Sequence, residues 1–225
     1  MENAPLIYIV GSNPRPEDTE KLARWYNDRH IPMLMKYGVN SAERFKILTE
    51  SADYPVYLNI YRYENMQAYQ KRQSPEASAE ISKDSHATWP DGYGITWRAA
   101  YFEHRKWVTP SVSQLNAGAV IHVIGANGPG AEHDTEFNQW YDNTHVPWLM
   151  KSGTILQSVR YRIIEPNKDY PTYLAVYYFE NKAKFEEFST HPERVAAVKE
   201  LNEHWPNGIG TVWRVQYQMV KGWGK

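Results

Sequence analysis

A tryptophan, a tyrosine, a histidine and a proline recur in fixed order at two places in this chain. They stand in Trp25-Tyr26-Asn27-Asp28-Arg29-His30-Ile31-Pro32 and again in Trp140-Tyr141-Asp142-Asn143-Thr144-His145-Val146-Pro147. Histidine titrates near neutrality, so His30 and His145 could take or deliver a proton on a bound substrate. They are the two of eight histidines that coincide when the copies are superposed. Tyr26 and Tyr141 lie four residues earlier, on the same face of a helix, where a phenol could orient a carbonyl or enolate oxygen. We therefore expect catalytic roles for His145, His30, Tyr141 and Tyr26. The competing structural reading is that the imidazole ties a helix end to a backbone carbonyl and that the tyrosine packs its ring in the core.

Other residues are candidates for substrate contact. His122 lies within the apolar run Val120-Ile121-His122-Val123-Ile124, where its counterpart is Tyr8; a titratable group is costly to bury without a partner, so it marks either a site or a satisfied core histidine. Trp148 stands where the first copy has Met33, and with Trp140 and Trp25 it completes the expected substrate-binding set. His122 and Trp148 favour the second copy as the active one. An acidic residue is present in each motif but moves by one place, from Asp28 to Asp142, a turn of about 100° around a helix, which points to a solvated face. Trp89, Trp97, Trp205 and Trp213 read as core. Arg98 and Arg214 read as strand residues that meet a neighbouring glutamate or a substrate carboxylate. There is no Gly-x-Gly-x-x-Gly or Gly-Lys-Ser/Thr phosphate loop, no Gly-x-Ser-x-Gly elbow and no histidine spacing suited to a metal, so no metal site is expected.

The elements that must hold these residues follow from the repeat. Between Trp25–Gly38 and Trp140–Gly153 eight of fourteen positions are identical, which identifies a tandem duplication. Leu6 to Val10 reads as a strand closed by Gly11-Ser12-Asn13-Pro14, and a helix should run from about 17 to 30, where Pro32 ends or kinks it. Alternation over 44–49 and 57–63 gives a hairpin, 65–87 gives two helical pieces broken at Ser74-Pro75, and 96–102 closes the unit as a strand. The second half repeats this β-α-β-β-α-β order from Val120 onward. We expect domains at 1–105 and 117–225, with the Pro-containing stretch 106–116 as linker. The fold class is α+β: two ferredoxin-like βαββαβ repeats, each with helices on one sheet face, packed sheet to sheet within one chain.

Composition narrows the partners. With 25 basic and 26 acidic residues among 225, the net charge of −1 gives no electrostatic case for nucleic acid or an anionic membrane. The absence of cysteine excludes disulfides and thiolate chemistry. No apolar run reaches the roughly 18 residues of a membrane helix, and the start Met1-Glu2-Asn3-Ala4-Pro5 lacks the basic region of a signal peptide, so the expected location is cytoplasmic. Nine tryptophans and seventeen tyrosines exceed what two small cores need and suggest a pocket for a small hydrophobic or aromatic molecule.

A βαββαβ unit with Trp25, His30 and Pro32, repeated as Trp140, His145 and Pro147, resembles the dimeric α+β barrel superfamily and, within it, the EthD-like proteins. The resemblance implies that two sheets pair into a barrel, here as a pseudo-dimer within one chain. It also implies small-molecule chemistry on aromatic or carbonyl compounds: cofactor-free cyclases, isomerases, dehydratases and quinone-forming monooxygenases, with haem enzymes in related branches. We therefore expect a cofactor-independent lyase, isomerase or cyclase using histidine, with a haem-dependent or oxygen-using enzyme and a non-catalytic aromatic-ligand binder as alternatives. A second copy of the chain is the one macromolecular partner this reading admits.

Overall fold

In a computed structural model, residues 3–110 and 115–224 are described. The chain forms two compact units, one running to Phe102 and taking up the C-terminal stretch from Val220, the other spanning Glu103–Met219. Among the described residues no helix is long and apolar enough to cross a membrane.

In the first unit β1 (Leu6–Ser12) leads through a 3₁₀ turn into α1 (Thr19–Trp25), a π-helical turn (Tyr26–His30) and α2 (Ile31–Lys36). β2 (Ser41–Ile47) and β3 (Tyr57–Tyr63) form the hairpin, followed by α3 (Met66–Arg72), α4 (Pro75–Thr88) and β4 (Ile95–Val108). The sheet order is β2-β3-β1-β4, antiparallel throughout, with Ile9 opposite Ile60 on one side and Ala99 on the other. The second unit repeats the order: β5 (Val120–Ala126), α5 (Asp134–Trp140), a π-turn (Tyr141–His145), α6 (Val146–Met150), β6 (Ile155–Ile163), β7 (Tyr173–Phe179), α7 (Lys182–Thr190), α8 (Pro192–His204) and β8 (Thr211–Gly224). Its sheet runs β6-β7-β5-β8. Every position of β5 and β7 is buried.

Local chemistry accounts for the helix starts. Asn65 caps α3 through Ala68 N–H at 2.9 Å, and Asn181 caps α7 through Lys184 N–H at 3.0 Å. Ser74 caps α4 ahead of Pro75, a position where proline loses no hydrogen bond. The loops before β4 and β8 each turn on a glycine, Gly94 and Gly210, where a Cβ would crowd a backbone carbonyl oxygen. Gly94 has φ +70°, and a Cβ there would stand 2.0 Å from the Asn13 carbonyl oxygen. Gly94→Ala should therefore cost at least about 2 kcal/mol, read as a lowered urea midpoint with an unchanged m-value.

Two sequence expectations need correction. The first helix does not stop at residue 30, and Pro32 does not end it. The helix widens into a π-turn closed by Ile31 N–H to the Tyr26 carbonyl, and the same bond joins Val146 to Tyr141 in the second copy. Pro32 and Pro147 then fall in the first turn of α2 and α6, where an N–H has no intrahelical duty. The second correction concerns the linker. β4 continues to Val108, and Thr109 donates its N–H to the Leu156 carbonyl at 2.9 Å, so the first residues of 106–116 are strand. Backbone pairing needs no apolar period, which is why composition missed it. Residues 111–114 of that stretch lie outside the described residues.

Candidate functional site

The second unit holds a cavity of about 430 Å³ between its sheet and helices. His122 and Ile124 of β5, Tyr177 of β7 and Arg214 of β8 form the sheet side. Tyr141 and His145 of the π-turn enter from above, and α8 contributes Arg194, Val198 and Leu201. The loop 207–211 closes one end. Three of the sequence candidates, His122, Tyr141 and His145, therefore meet at one cavity.

The π-turn explains how they are held. Its wider spacing brings residues five apart to one side, so Trp140 stacks on His145 with ring centroids 4.9 Å apart, while Tyr141 meets the same imidazole edge-on at 5.0 Å. Trp140 donates its indole N–H to Glu200 at 2.8 Å, and Trp148 donates to Glu193 at 2.6 Å. Both tryptophans are thereby tied to α8 and neither lines the cavity. Trp25 behaves alike in the first unit: it donates to Asp84 at 2.7 Å and stacks on His30 at 4.2 Å. Trp25 and Trp140 position the histidines. They do not form the cavity wall expected of them.

The imidazoles are neutral. Burial first, and the Arg160 guanidinium second, push His145 down to about 3. His30 falls to about 3 through burial and Arg72. His122 falls to about 3 through burial and then Arg214 and Arg194. Nδ1 of His30 and Nδ1 of His145 are buried without a hydrogen-bond partner, so the expected tie from this atom to a backbone carbonyl is not made. His122 Nδ1 lies 2.8 Å from the Gln216 amide nitrogen; an amide nitrogen only donates, which places the imidazole proton on Nε2. Tyr141 and Tyr177 bring their hydroxyls to 3.1 Å, and burial raises both phenols above their ordinary range.

The acidic residue of the second motif is not on a solvated face. Asp142 is buried and accepts hydrogen bonds from Arg160 and from His104 Nε2, the latter at 2.9 Å. Burial opposes its ionisation, but the bonds from His104 and Arg160 outweigh that and hold the carboxyl below its usual range. Arg160, 1% exposed, also donates to Asn138 Oδ1 at 2.8 Å and stacks 4.3 Å from the Tyr141 ring centroid. Sequence reasoning missed this hub. The shift from Asn27 to Asp142, beside an arginine present in both copies as Arg44 and Arg160, was the available signal. In the first unit Asn27 provides no charge; Arg44 is 2% exposed, its Nε has no partner, and it rests against the rings of Tyr57 and Tyr26 at 4.6 and 5.2 Å.

The first unit has its own cavity of about 330 Å³, lined by His30, Tyr8, Tyr61, Tyr93, Arg72 and Arg98 among others. Tyr26 is fully buried beside it; its hydroxyl accepts from Asn59 Nδ2 at 3.3 Å, and Tyr26 itself does not line the space. Arg98 and Arg214 each line the cavity of their own unit.

Residues 130–218 match a family described as a domain of unknown function, DUF4286. No curated protein matches the sequence. Among solved structures, a Fusobacterium nucleatum protein assigned provisionally as a monooxygenase aligns with 100% of this chain and 96% of its own, at 13% identity and TM-score 0.67. An anthrone oxidase-like protein aligns over 98% and 93% at 12% identity and TM-score 0.65. A mutant chlorite dismutase from Candidatus Nitrospira defluvii aligns over 98% and 92% at 6% identity and TM-score 0.60. At these identities the likeness is one of fold alone, mixed α+β.

Proposed function

We propose that the second unit carries the active site of a cofactor-independent lyase, isomerase or cyclase, acting on a small aromatic or carbonyl compound that carries or develops negative charge. The observation that carries this reading is the composition of the cavity wall: two guanidiniums, two neutral imidazoles and two phenols, with no carboxylate side chain among the described lining residues. Such a wall attracts an anion, and the apolar side chains of Phe188, Val198, Leu201 and Ile209 suit a flat hydrophobic body. The names of the structural neighbours make an enzyme of this barrel type plausible.

In this mechanism a neutral His145 is ready to accept a proton, but with a pKa near 3 it is a weak base in the empty site. A bound substrate that loses its proton becomes an enolate or phenolate, whose charge favours the imidazolium beside it. The proton therefore moves from substrate carbon to His145 only as the oxyanion forms. The Tyr141 hydroxyl, shared with Tyr177, donates to that oxygen, and Arg194 and Arg214 supply the surrounding positive field. Return of the proton to a different atom completes an isomerisation with no change in redox state. His30 would serve the same role in the first unit only for a ligand its cavity admits, and Tyr26, which does not line that cavity, has no such role there.

A haem-dependent enzyme using one histidine as axial ligand is the alternative reading. The pseudo-dimeric barrel and the EthD-like affinity remain part of this proposal and rest on the duplicated Trp-Tyr-x-x-x-His-x-Pro motif. Location in the cytoplasm and pairing into a homodimer belong with it.

The test is solvent deuterium exchange into a panel of aryl ketones and phenolic ketones, followed by NMR without added cofactor. Exchange catalysed by the native protein should fall about 10²- to 10⁴-fold in His145→Gln and less in Tyr141→Phe, with the far-ultraviolet spectrum unchanged. Equal exchange by native protein and His145→Gln would sink the proposal. Saturable tryptophan quenching with the ligand recovered unexchanged would favour the non-catalytic binder, and a Soret band on hemin addition, lost in one histidine variant, would favour haem.

A further inference from the structure

The two cavities share a plan and differ in what covers their walls. Tyr8 of β1 holds the place that His122 holds in β5, and both line their cavity. Each closing loop carries two left-handed glycines, Gly92 and Gly94 or Gly208 and Gly210, and the residue between them differs: Tyr93 faces the first cavity and Ile209 the second. The helix wall differs as well. Beside Arg194 and Asn202, α8 offers Val198 and Leu201; α4 offers Ile81 with Ser78, Ser82 and Ser85, whose spacing of four and three puts three hydroxyls on one face. Arg72 stands 5.3 Å from the Tyr8 ring centroid, and the described lining of this cavity again includes no carboxylate.

We propose that the first unit's cavity is a separate site for a small hydrophilic oxyanion, a molecule bearing phosphate or carboxylate groups, and that Tyr93 closes it to the aromatic ligands suited to the second. A guanidinium, serine hydroxyls and phenols are donors suited to oxygen anions, and they outnumber the apolar side chains Val10, Leu34, Ile81 and Ile95 in this lining. The donors are available for exchange: Ser78 reaches the Gln73 carbonyl only at 3.3 Å, and the Ser82 hydroxyl lies 3.2 Å from His86 Nδ1. Duplication would then have left one unit with an apolar anion site and the other with a polar one, so that two different molecules can occupy one chain. This inference concerns binding in the first unit and stands whatever reaction the second performs.

Isothermal titration of the full chain with pyrophosphate and with citrate tests it, together with 8-anilinonaphthalene-1-sulfonate as an apolar aromatic anion. One of the two polyanions should bind once per chain. Binding by pyrophosphate alone assigns phosphate chemistry, and binding by citrate alone assigns carboxylate. Arg72→Gln should weaken that binding at least tenfold while Arg194→Gln changes it less than twofold. Ser82→Asp, which sets a carboxylate at the mouth, should give the same loss independently if Arg72→Gln does not fold. The aromatic sulfonate should bind once to the native chain and twice to Tyr93→Ile. The proposal is overturned if neither polyanion binds at millimolar concentration, if Arg194→Gln costs as much as Arg72→Gln, or if the native chain already binds two sulfonates. Failure here with intact exchange activity would leave the proposed reaction standing.

Discussion

At pH 5 the fold is expected to be about 6 kcal/mol less stable than at pH 7, because three buried histidines must be carried without their protons. His30, His122 and His145 each have an ordinary pKa of 6.5 lowered to about 3 in the folded chain, burial being the main cause. Between these values the unfolded chain binds a proton at each and the folded chain does not. Stability therefore rises with pH in this window and is lost as pH falls through it. Each histidine contributes about 2 kcal/mol of that loss between pH 7 and pH 5, and the result hardly changes if the folded value lies a unit higher. Since domains of this size are stable by roughly 5–15 kcal/mol, the effect is large enough to unfold one or both units in mild acid. Urea titrations at pH 7, 6 and 5 give the slope. Replacing any one histidine by glutamine should reduce it by about one proton whatever it does to stability at pH 7; a slope unaltered in all three variants would mean that these imidazoles are protonated in the native fold. A bound anion should act in the opposite sense at His122 and His145, raising their pKa and flattening the profile, which offers a ligand assay that needs no turnover.

Asp142→Asn should cost about 3 kcal/mol, among the most damaging single-atom-scale changes available to the second unit. The substitution keeps the shape but leaves Arg160 buried with an uncompensated charge, and removing one member of a buried pair typically costs about 3–5 kcal/mol. Tm should fall by roughly 6–12 °C. Because Arg160 lies against the Tyr141 ring, the change should also disturb the hydroxyl shared with Tyr177 and lower affinity for an anionic ligand in that cavity. The first unit supplies the contrast. Asn27→Ala removes no charge and should shift Tm by no more than a surface substitution does, within about 0.5 kcal/mol. Equal losses from Asp142→Asn and Asn27→Ala would show that the ionic hub contributes nothing particular to the second unit.

Much of the architecture was written in the sequence. The duplicated motif announced two like units, and the turn-forming Ser74-Pro75 and Asn65 marked helix starts because caps and prolines act within three or four residues. The pairing of Tyr with His was legible for the same reason: both lie on one turn. What reached beyond a turn was not legible. Widening of the helix at Tyr26–His30 depends on a single displaced backbone bond, so no residue type marks it, yet it decides that Trp140 stacks on His145 and that Pro147 is harmless. The fate of the tryptophans was misread because an indole N–H finds its acceptor across the fold, on α8, rather than along the chain. Asp142 was misread because its partners, His104 and Arg160, are 38 and 18 residues away. The sequence by itself determined the duplicated units and which histidines and tyrosines would share a helix face, since those follow from short-range geometry. Only the tertiary structure decided which of them meet at a cavity, that their imidazoles are neutral and that the cavity walls bear cations without carboxylates, because burial and charge pairing are properties of neighbours brought together by the whole fold.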